Sequence, residues 1–338
     1  MNNKKRRYIK YISFLTLLLL LTACSKEDDL APLTENSQGD LQPLNTEDNA
    51  LGTANMGPWD SSIILATSTD GLIFTKEDAL VEHAAVPNLF MTANGDVIAT
   101  YQYFVEDGEV TIDGAIAYSL SKDQGKTWTD PAIVTIEGLP EANSGPTDPS
   151  YIFVTRAVDP TLVELSDGSL RLYFTYQEEG EDQPHMNSAI NTDGDISGTF
   201  TYEEDSGLSA DGPIIDPSVI FFDGIWHHFT WTRKDNENNE AIQSTDLENY
   251  HSISDDGLTF TFQDKITLDM SFLGGVVATD DGLRFYGTGN GGVVSAFSPD
   301  GYNWEMDEGV RTQGGNDPGI TRLEDGTYLL LYTGPSNG

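Results

Sequence analysis

Residues 159–175 read Asp-Pro-Thr-Leu-Val-Glu-Leu-Ser-Asp-Gly-Ser-Leu-Arg-Leu-Tyr-Phe-Thr, and this stretch decides the fold. An Asp-Pro pair opens an alternating apolar strand, an Asp-Gly turn follows, and a strand of aromatic and aliphatic residues completes a hairpin. The same phrase returns at Asp216-Pro217 and Asp317-Pro318. It returns without its leading aspartate after Val86-Pro87 and around Gly274-Gly275. Five copies of one hairpin predict five repeated structural units.

A second phrase, Ser-x-Asp-Gly-x-x-aromatic, accompanies these hairpins. It occurs at 68–74, 254–260 and 298–304, in a form one residue longer at 121–128, and as a degraded copy from 191. The aspartate side chain accepts backbone N–H groups and the glycine takes a positive φ, which is the chemistry of a tight turn. Each unit therefore contains two hairpins of short strands.

Five units of two hairpins predict an all-β fold, a five-bladed β-propeller with leading positions at 86, 159, 216, about 273, and 317. The last unit has only one hairpin, so residues 63–67 and 72–74 are expected to supply its outer strands. That closure by the N-terminal strand pair leaves no open sheet edge. An open β-sandwich whose strands share the same turn chemistry is the alternative.

The sequence before the propeller is typical of export. Residues 1–23 combine a basic start with an apolar stretch too short to span a bilayer, as in a signal peptide. The tetrapeptide at 21–24, Leu-Thr-Ala-Cys, resembles the lipobox of bacterial lipoproteins, which implies that Cys24 carries a lipid anchor. An ordinary secretory signal is the alternative.

We interpret residues 24–58 as an acidic, solvated tether and residues 59–338 as the propeller. Residues 25–29 resemble the export tag of Bacteroidetes surface lipoproteins. The resemblance implies an outer-membrane lipoprotein displayed on the cell surface.

Composition limits the partners. The chain has 55 acidic and 17 basic residues, a net charge of −38, which opposes binding to nucleic acid or to anionic lipid. A single cysteine excludes intramolecular disulfides and cysteine-based zinc sites. We expect a monomer.

The leading aspartates are the candidate catalytic residues. In a propeller the innermost strands start around one mouth of a central channel, so Asp159, Asp216 and Asp317 are expected to meet there. Acids in such a position are solvated, bound to a cation or catalytic. Alternatively, each aspartate satisfies backbone N–H groups at the start of its strand.

The Asp-Pro units resemble the five-bladed propeller glycosidases of glycoside hydrolase family 43 and its relatives such as family 32, over roughly residues 60 to 338. The turn at 121–128 resembles the Asp box of sialidases. The family 43 resemblance implies an aspartate base at the first blade, an aspartate that modulates a pKa at the second, and a glutamate acid at the third. Residues 156–160, Arg-Ala-Val-Asp-Pro, match the second motif. Asp216 stands in place of the glutamate, Val86 in place of the base, and Asp317 is an additional acid.

We predict further substrate contacts on the same face of the propeller, from Arg156, His83, His185, Arg311 and Asn88. The favoured function is hydrolysis of a neutral glycan, for example one that contains arabinose, xylose or galactose, with two carboxylates sharing acid and base work and no required cofactor. One alternative is a non-catalytic glycan-binding lipoprotein, which Val86 favours. Another is a calcium ion held at the axis by the ring of aspartates.

Overall fold

A computed structural model describes residues 58–107, 110–142, 156–181, 184–204, 207, 214–233 and 247–335. The predicted signal peptide and lipidation site, Cys24, lie outside these residues. In the described residues, twenty-one strands, numbered in chain order, follow a short 3-10 turn at Pro58–Asp60. No helix in the described part of the chain is long and apolar enough to cross a membrane.

The strands form five antiparallel blades of four strands around a central channel. The innermost strands of blades 1 to 5 are β3 (Ala84–Met91), β8 (Val158–Glu164), β12 (Ile215–Phe222), β16 (Met270–Ala278) and β20 (Asn316–Arg322). The second strands are β4 (Val97–Asp107), β9 (Leu170–Tyr176), β13 (Ile225–Arg233), β17 (Leu283–Gly289) and β21 (Tyr328–Pro335). The third strands are β5 (Val110–Ser121), β10 (His185–Asn191), β14 (Leu247–Ser254), β18 (Gly292–Ser298) and β1 (Ser61–Ser68). The outer strands are β6 (Ala132–Ile133), β11 (Thr199–Tyr202), β15 (Thr261–Ile266), β19 (Glu305–Met306) and β2 (Thr75–Glu82).

The predicted fold is confirmed, including the closure of the ring by the N-terminal strand pair. Strand β1 pairs with β21 along its whole length, from Ser61 opposite Pro335 to Ser68 opposite Tyr328, and β2 pairs with β1. The outer strand of blade 5 is therefore β2, just after the expected 72–74. Blade 2 gains a fifth strand, β7 (Thr135–Glu137), which pairs with β11 in parallel.

The hydrophobic core is divided into five clusters, one at each interface between neighbouring blades. Between blades 3 and 4, for example, the Phe229 ring meets Phe272 and Phe285 edge to face. Because each blade is held by two neighbours, the inner strands are fixed relative to one another. This rigidity positions the residues at the ends of the channel.

The Ser-x-Asp-Gly phrase forms the turn that the sequence predicts. In blade 3, Ser254 Oγ accepts the N–H of Gly257, and Asp256 Oδ1 accepts two further backbone N–H groups at 2.8 and 3.0 Å. The same contacts recur at the turns of blades 4 and 5. Backbone hydrogen bonds, first that of Thr259, lower the pKa of Asp256.

Candidate active site

The innermost strands share a β-bulge at the point where their leading residues stand. In every blade the pairing of the first two strands skips two residues there. In four blades the first skipped residue is the one before the proline, and its φ lies between 47° and 54°: Val86, Asp159, Asp216 and Asp317. In blade 4 the skipped pair is Phe272 and Leu273.

A left-handed backbone is unfavourable for all four residues, and most of all for the β-branched Val86. In three of the four residues, a hydrogen bond from the backbone N–H to a threonine of the preceding blade holds this conformation in place. The N–H of Val86 donates to Thr333 Oγ1 at 3.1 Å, and that of Asp317 donates to Thr288 Oγ1 at 3.0 Å. The N–H of Asp216 donates in the same way to Thr175 Oγ1 at 3.1 Å. In each case the hydroxyl lies on the second strand of the preceding blade, so neighbouring blades fix the leading residues.

Asp159 and Asp216, at the heads of adjacent blades, form a carboxyl pair. The two side chains lie close enough for each to affect the pKa of the other. Gln102 Nε2 donates to Asp159 Oδ1 at 3.1 Å, and Trp231 Nε1 donates to Asp216 Oδ2 at 3.0 Å. Two carboxylates in contact cannot both be ionised at low cost, so the pair must hold a proton.

The pKa values of this pair are raised. Burial raises the pKa of Asp159 to about 6. Burial, and then the charges of Asp159 and Asp317, raise the pKa of Asp216 well above its ordinary value. Because the charge of Asp159 raises the pKa of Asp216, Asp216 is the member of the pair that holds the proton, as a general acid requires.

Asp317 lies across the ring from this pair. It is 4% exposed, and Asn316 Nδ2 donates to its Oδ2 at 2.8 Å. Its other oxygen, Oδ1, is buried without a hydrogen-bond partner among the described residues. Burial, followed by the charge of Asp159, raises the pKa of Asp317 to about 7. Asp317 thus changes its protonation state near neutral pH.

The three aspartates line one small pocket at this end of the channel, which we call the top mouth. Its volume is about 20 Å³, which is room for roughly one water molecule. Val86 and Leu273 complete the ring on the two sides between the acid pair and Asp317. The arrangement places a proton donor and a proton acceptor on opposite sides of a site for one water.

The other predicted substrate contacts are not all at this mouth. Asn88 lines the pocket, but its Oδ1 accepts the N–H of Leu162 at 3.1 Å and joins two blades. Arg156 lies three residues before Asp159 and is half-buried.

His83, at the start of blade 1, donates from Nδ1 to the carbonyl of Trp59 at 2.8 Å. His185 begins β10, with Nε2 3.6 Å from a Glu181 oxygen. Arg311 is 6% exposed and donates to the carbonyls of Leu72, Glu308 and Gly309. None of these three residues lines the aspartate pocket.

Gln102 and Trp231, which donate to the acid pair, were not among the residues predicted from the sequence. Both lie opposite the residue before a leading position, Gln102 opposite Ala85 and Trp231 opposite Ile215. The register of the hairpin could have placed them there. The register does not say whether each side chain reaches the acid of its own blade or that of the next blade, because this depends on how neighbouring blades pack.

Within the described residues, no group of three or more His, Cys, Asp or Glu side chains is arranged to hold a metal ion. The acid pair and Asp317 lie on opposite sides of the ring. Calcium at the axis is thus without a ready ligand set in this part of the chain.

Solved structures share this fold. The GH43_1 enzyme from Xanthomonas citri is 13% identical, with a TM-score of 0.51 over 75% of this chain and 87% of that chain. A thermostable family-43 glycoside hydrolase is 10% identical, also with a TM-score of 0.51, over 74% of this chain and 88% of that chain. At these identities the likeness establishes the propeller fold. No protein-family model matches the sequence, and no curated protein matches it.

Proposed function

We propose that the chain is a glycoside hydrolase that acts on a neutral glycan at the top mouth. The observation that carries the proposal is the set of three carboxyl groups whose pKa values are raised to different extents around one pocket. Pairs of acids with separated pKa values are typical of sites that divide acid and base work. The folds of the two family 43 enzymes support the reaction class.

In the proposed reaction Asp216 is the general acid and protonates the glycosidic oxygen. Asp159 keeps the proton on Asp216, because ionising both members of a close carboxyl pair is unfavourable. Asp317 is the base, and its Oδ1 has no partner among the described residues. It accepts the proton of a water as the water oxygen bonds to the anomeric carbon and the bond from that carbon to the protonated glycosidic oxygen breaks. The charge of Asp317 adds to the effects that raise the pKa of Asp216, so Asp216 can hold its proton while Asp317, whose pKa is about 7, is ionised and able to act as the base.

The charge of the site supports a neutral substrate. Three carboxyl groups line the pocket, and the chain carries a net charge of −38. An anionic sugar would be repelled at long range and again at the site. Neutral polysaccharides that contain arabinose, xylose or galactose are therefore the proposed class.

The test is release of reducing sugar from a panel of neutral and anionic polysaccharides, with and without added calcium. We expect release from at least one neutral glycan, no requirement for calcium, and loss of release in Asp216→Asn. Activity on anionic glycans alone, or full activity in Asp216→Asn, would contradict the proposal.

A second candidate is a glycan-binding protein without catalysis, and Val86 is the observation that favours it. This valine occupies the leading position of blade 1, where the resemblance to family 43 implies the base. Under this alternative the chain binds a glycan without cleaving it, and Val86→Asp, which supplies a fourth leading carboxyl group, creates activity. Under the enzyme proposal Val86→Asp adds nothing, because Asp317 already accepts the proton.

We also propose that the protein is a monomeric surface lipoprotein anchored through Cys24. The lipobox-like residues 21–24 and the acidic residues that follow them support this proposal. Expression in a Bacteroidetes host with labelled palmitate tests it. Label should enter the wild-type chain, be absent from Cys24→Ala, and be removed from intact cells by external protease.

A further inference from the structure

The channel has a second end, which the proposed reaction does not use. This bottom mouth lies where the innermost strands end and turn into the second strands, and its cavity measures about 670 Å³. That volume is within the range of small-molecule sites, whereas the pocket among the aspartates has room for about one water. Among the described residues, the cavity at the bottom mouth is thus the larger of the two.

Five residues that line the bottom mouth, one from each inner strand, stand five positions after the first residue of that strand's bulge: Met91, Glu164, Phe221, Val277 and Arg322. The two charged members link neighbouring blades. Glu164 Oε2 accepts the N–H of Ala93 at 2.6 Å, and Arg322 pairs with Asp280 at 2.6 and 3.2 Å. These contacts tie the hairpins of adjacent blades together and make the rim rigid.

Phe221 has no comparable structural role. It is 54% exposed, and its ring leans on Trp226 at a centroid distance of 5.1 Å. The two residues are cross-strand partners just before a two-residue turn, Asp223-Gly224, in which both φ angles are positive. A tight hairpin with a nearly buried tryptophan beneath it holds the phenylalanine ring at the opening of the cavity.

Polar groups surround this aromatic ring. The carboxylates of Asp280 and Glu324 line the cavity and offer acceptors for hydroxyl groups. Arg322 also lines the cavity, and its side chain, which pairs with Asp280, is 29% exposed and supplies guanidinium N–H donors. An aromatic face beside a few acceptors and a donor suits a ligand with one apolar face and several hydroxyls. The excess of carboxylates disfavours an anion.

We propose that the bottom mouth is a second carbohydrate site, in which Phe221 stacks against a sugar unit of a neutral glycan. The choice of ligand rests on the proposed function, since the second site would bind the same class of glycan that the top mouth cleaves. The site lies at the opposite end of the channel from the acids, so it holds the polymer without taking part in bond cleavage.

The test compares two exposed phenylalanines in an Asp216→Asn background, by affinity electrophoresis in gels that contain arabinoxylan, arabinan or galactan. Phe262, on the outer strand of blade 3, is the matched control because it is 42% exposed and leans on Tyr250 at 5.4 Å. We expect Phe221→Ala to weaken retention by about fivefold or more, Phe262→Ala to leave it unchanged, and Phe221→Trp to preserve it. Thermal unfolding of each variant checks that the fold is intact.

Equal retention of Phe221→Ala and the parent chain, or no retention of the parent on any of the three glycans, would overturn the inference. Sugar release in the chain with Asp216 intact separates this result from the proposed function. If Phe221→Ala leaves sugar release from a short oligosaccharide unaffected and weakens retention on the polymer, the result supports both the proposed hydrolase activity and the second carbohydrate site. Retention that depends on Phe221 without any release supports the second site and contradicts the enzyme.

Discussion

Aspartates occupy two kinds of position in this molecule, and their environments are opposite. Those in the Ser-x-Asp-Gly turns, such as Asp70 and Asp256, accept backbone N–H groups that lower their pKa values. Those at the heads of the inner strands, such as Asp317, have a left-handed backbone, are crowded by other carboxyl groups, and have raised pKa values. The turn aspartates stabilise the blades in their ionised form, whereas the leading aspartates are destabilising when ionised.

This difference separates structural from functional residues of one type. Local hydrogen bonds to backbone N–H groups are enough to account for an aspartate in a turn. A buried, strained carboxyl group with raised pKa persists in spite of its effect on stability, which is the pattern of a working site. Loss of the carboxylate should therefore affect stability in opposite directions at the two kinds of position.

The largest expected effect is on activity. Asp216→Asn removes the proposed acid and should lower sugar release by about 10³-fold, because general acid catalysis supplies a factor of that order. The matched change Asp256→Asn, in a turn, should leave release within about twofold of the parent. Reducing-sugar assays on both variants make the comparison, and equal losses in the two would remove the distinction.

The next largest effect is on stability. The substitution concerned is expected to raise the free energy of unfolding, whereas most substitutions lower it. Asp317 has a folded-state pKa of about 7 and an ordinary value of 3.8, so the folded state binds its proton more tightly than the unfolded chain does. Stability from this group is therefore lost as pH rises from about 4 to above 7. Asp317→Asn should raise the free energy of unfolding at pH 8 by on the order of 3 kcal/mol, with little difference at pH 4. Urea unfolding at the two pH values measures it, and a destabilised variant at pH 8 would contradict the assignment.

A turn aspartate should behave in the reverse way. Asp256→Ala removes two acceptor contacts to backbone N–H groups and should lower the free energy of unfolding by about 1–2 kcal/mol at pH 7. The pKa of Asp256 is lowered, so its stabilisation is present above pH 4 and is lost as pH falls through the folded-state value. Unfolding at pH 7 and at pH 2.5 should show a deficit that shrinks on acidification. A deficit that grows instead would mean that the turn does not depend on the charged form.

The smallest effect sharpens the account of the acid pair. The indole N–H of Trp231 donates to Asp216 Oδ2 and lowers the pKa of that carboxyl group, against the larger effect of burial. Trp231→Phe should therefore raise this pKa and move the alkaline limb of the pH–rate profile upward by less than about one pH unit. A simple loss of packing would lower the rate without moving the limb. A limb that stays in place would exclude Trp231 as a residue that tunes the acid.

The sequence was enough to predict the blades, because an Asp-Gly turn carries its own chemistry within a few residues. The closure by β1 and β2 followed from counting hairpins. The hydrogen-bond partners of the acids could not be predicted from the sequence. Gln102 reaches Asp159 of the next blade, whereas Trp231 reaches Asp216 of its own blade. Arg311 shows the same limit: its guanidinium contacts the turn of blade 5 through Leu72, a contact that depends on how two blades twist against each other.

The central claim is that the three aspartates at the top mouth have raised pKa values, whereas the turn aspartates have lowered ones. Titration of the chain with ¹³C-labelled aspartate carboxyl groups, followed by NMR, tests it most directly. The account predicts three signals that titrate at about pH 6, about pH 7 and well above the ordinary value. Asp159→Asn, Asp216→Asn and Asp317→Asn should each remove one of these signals. Titration of every aspartate below about pH 5 would contradict the account.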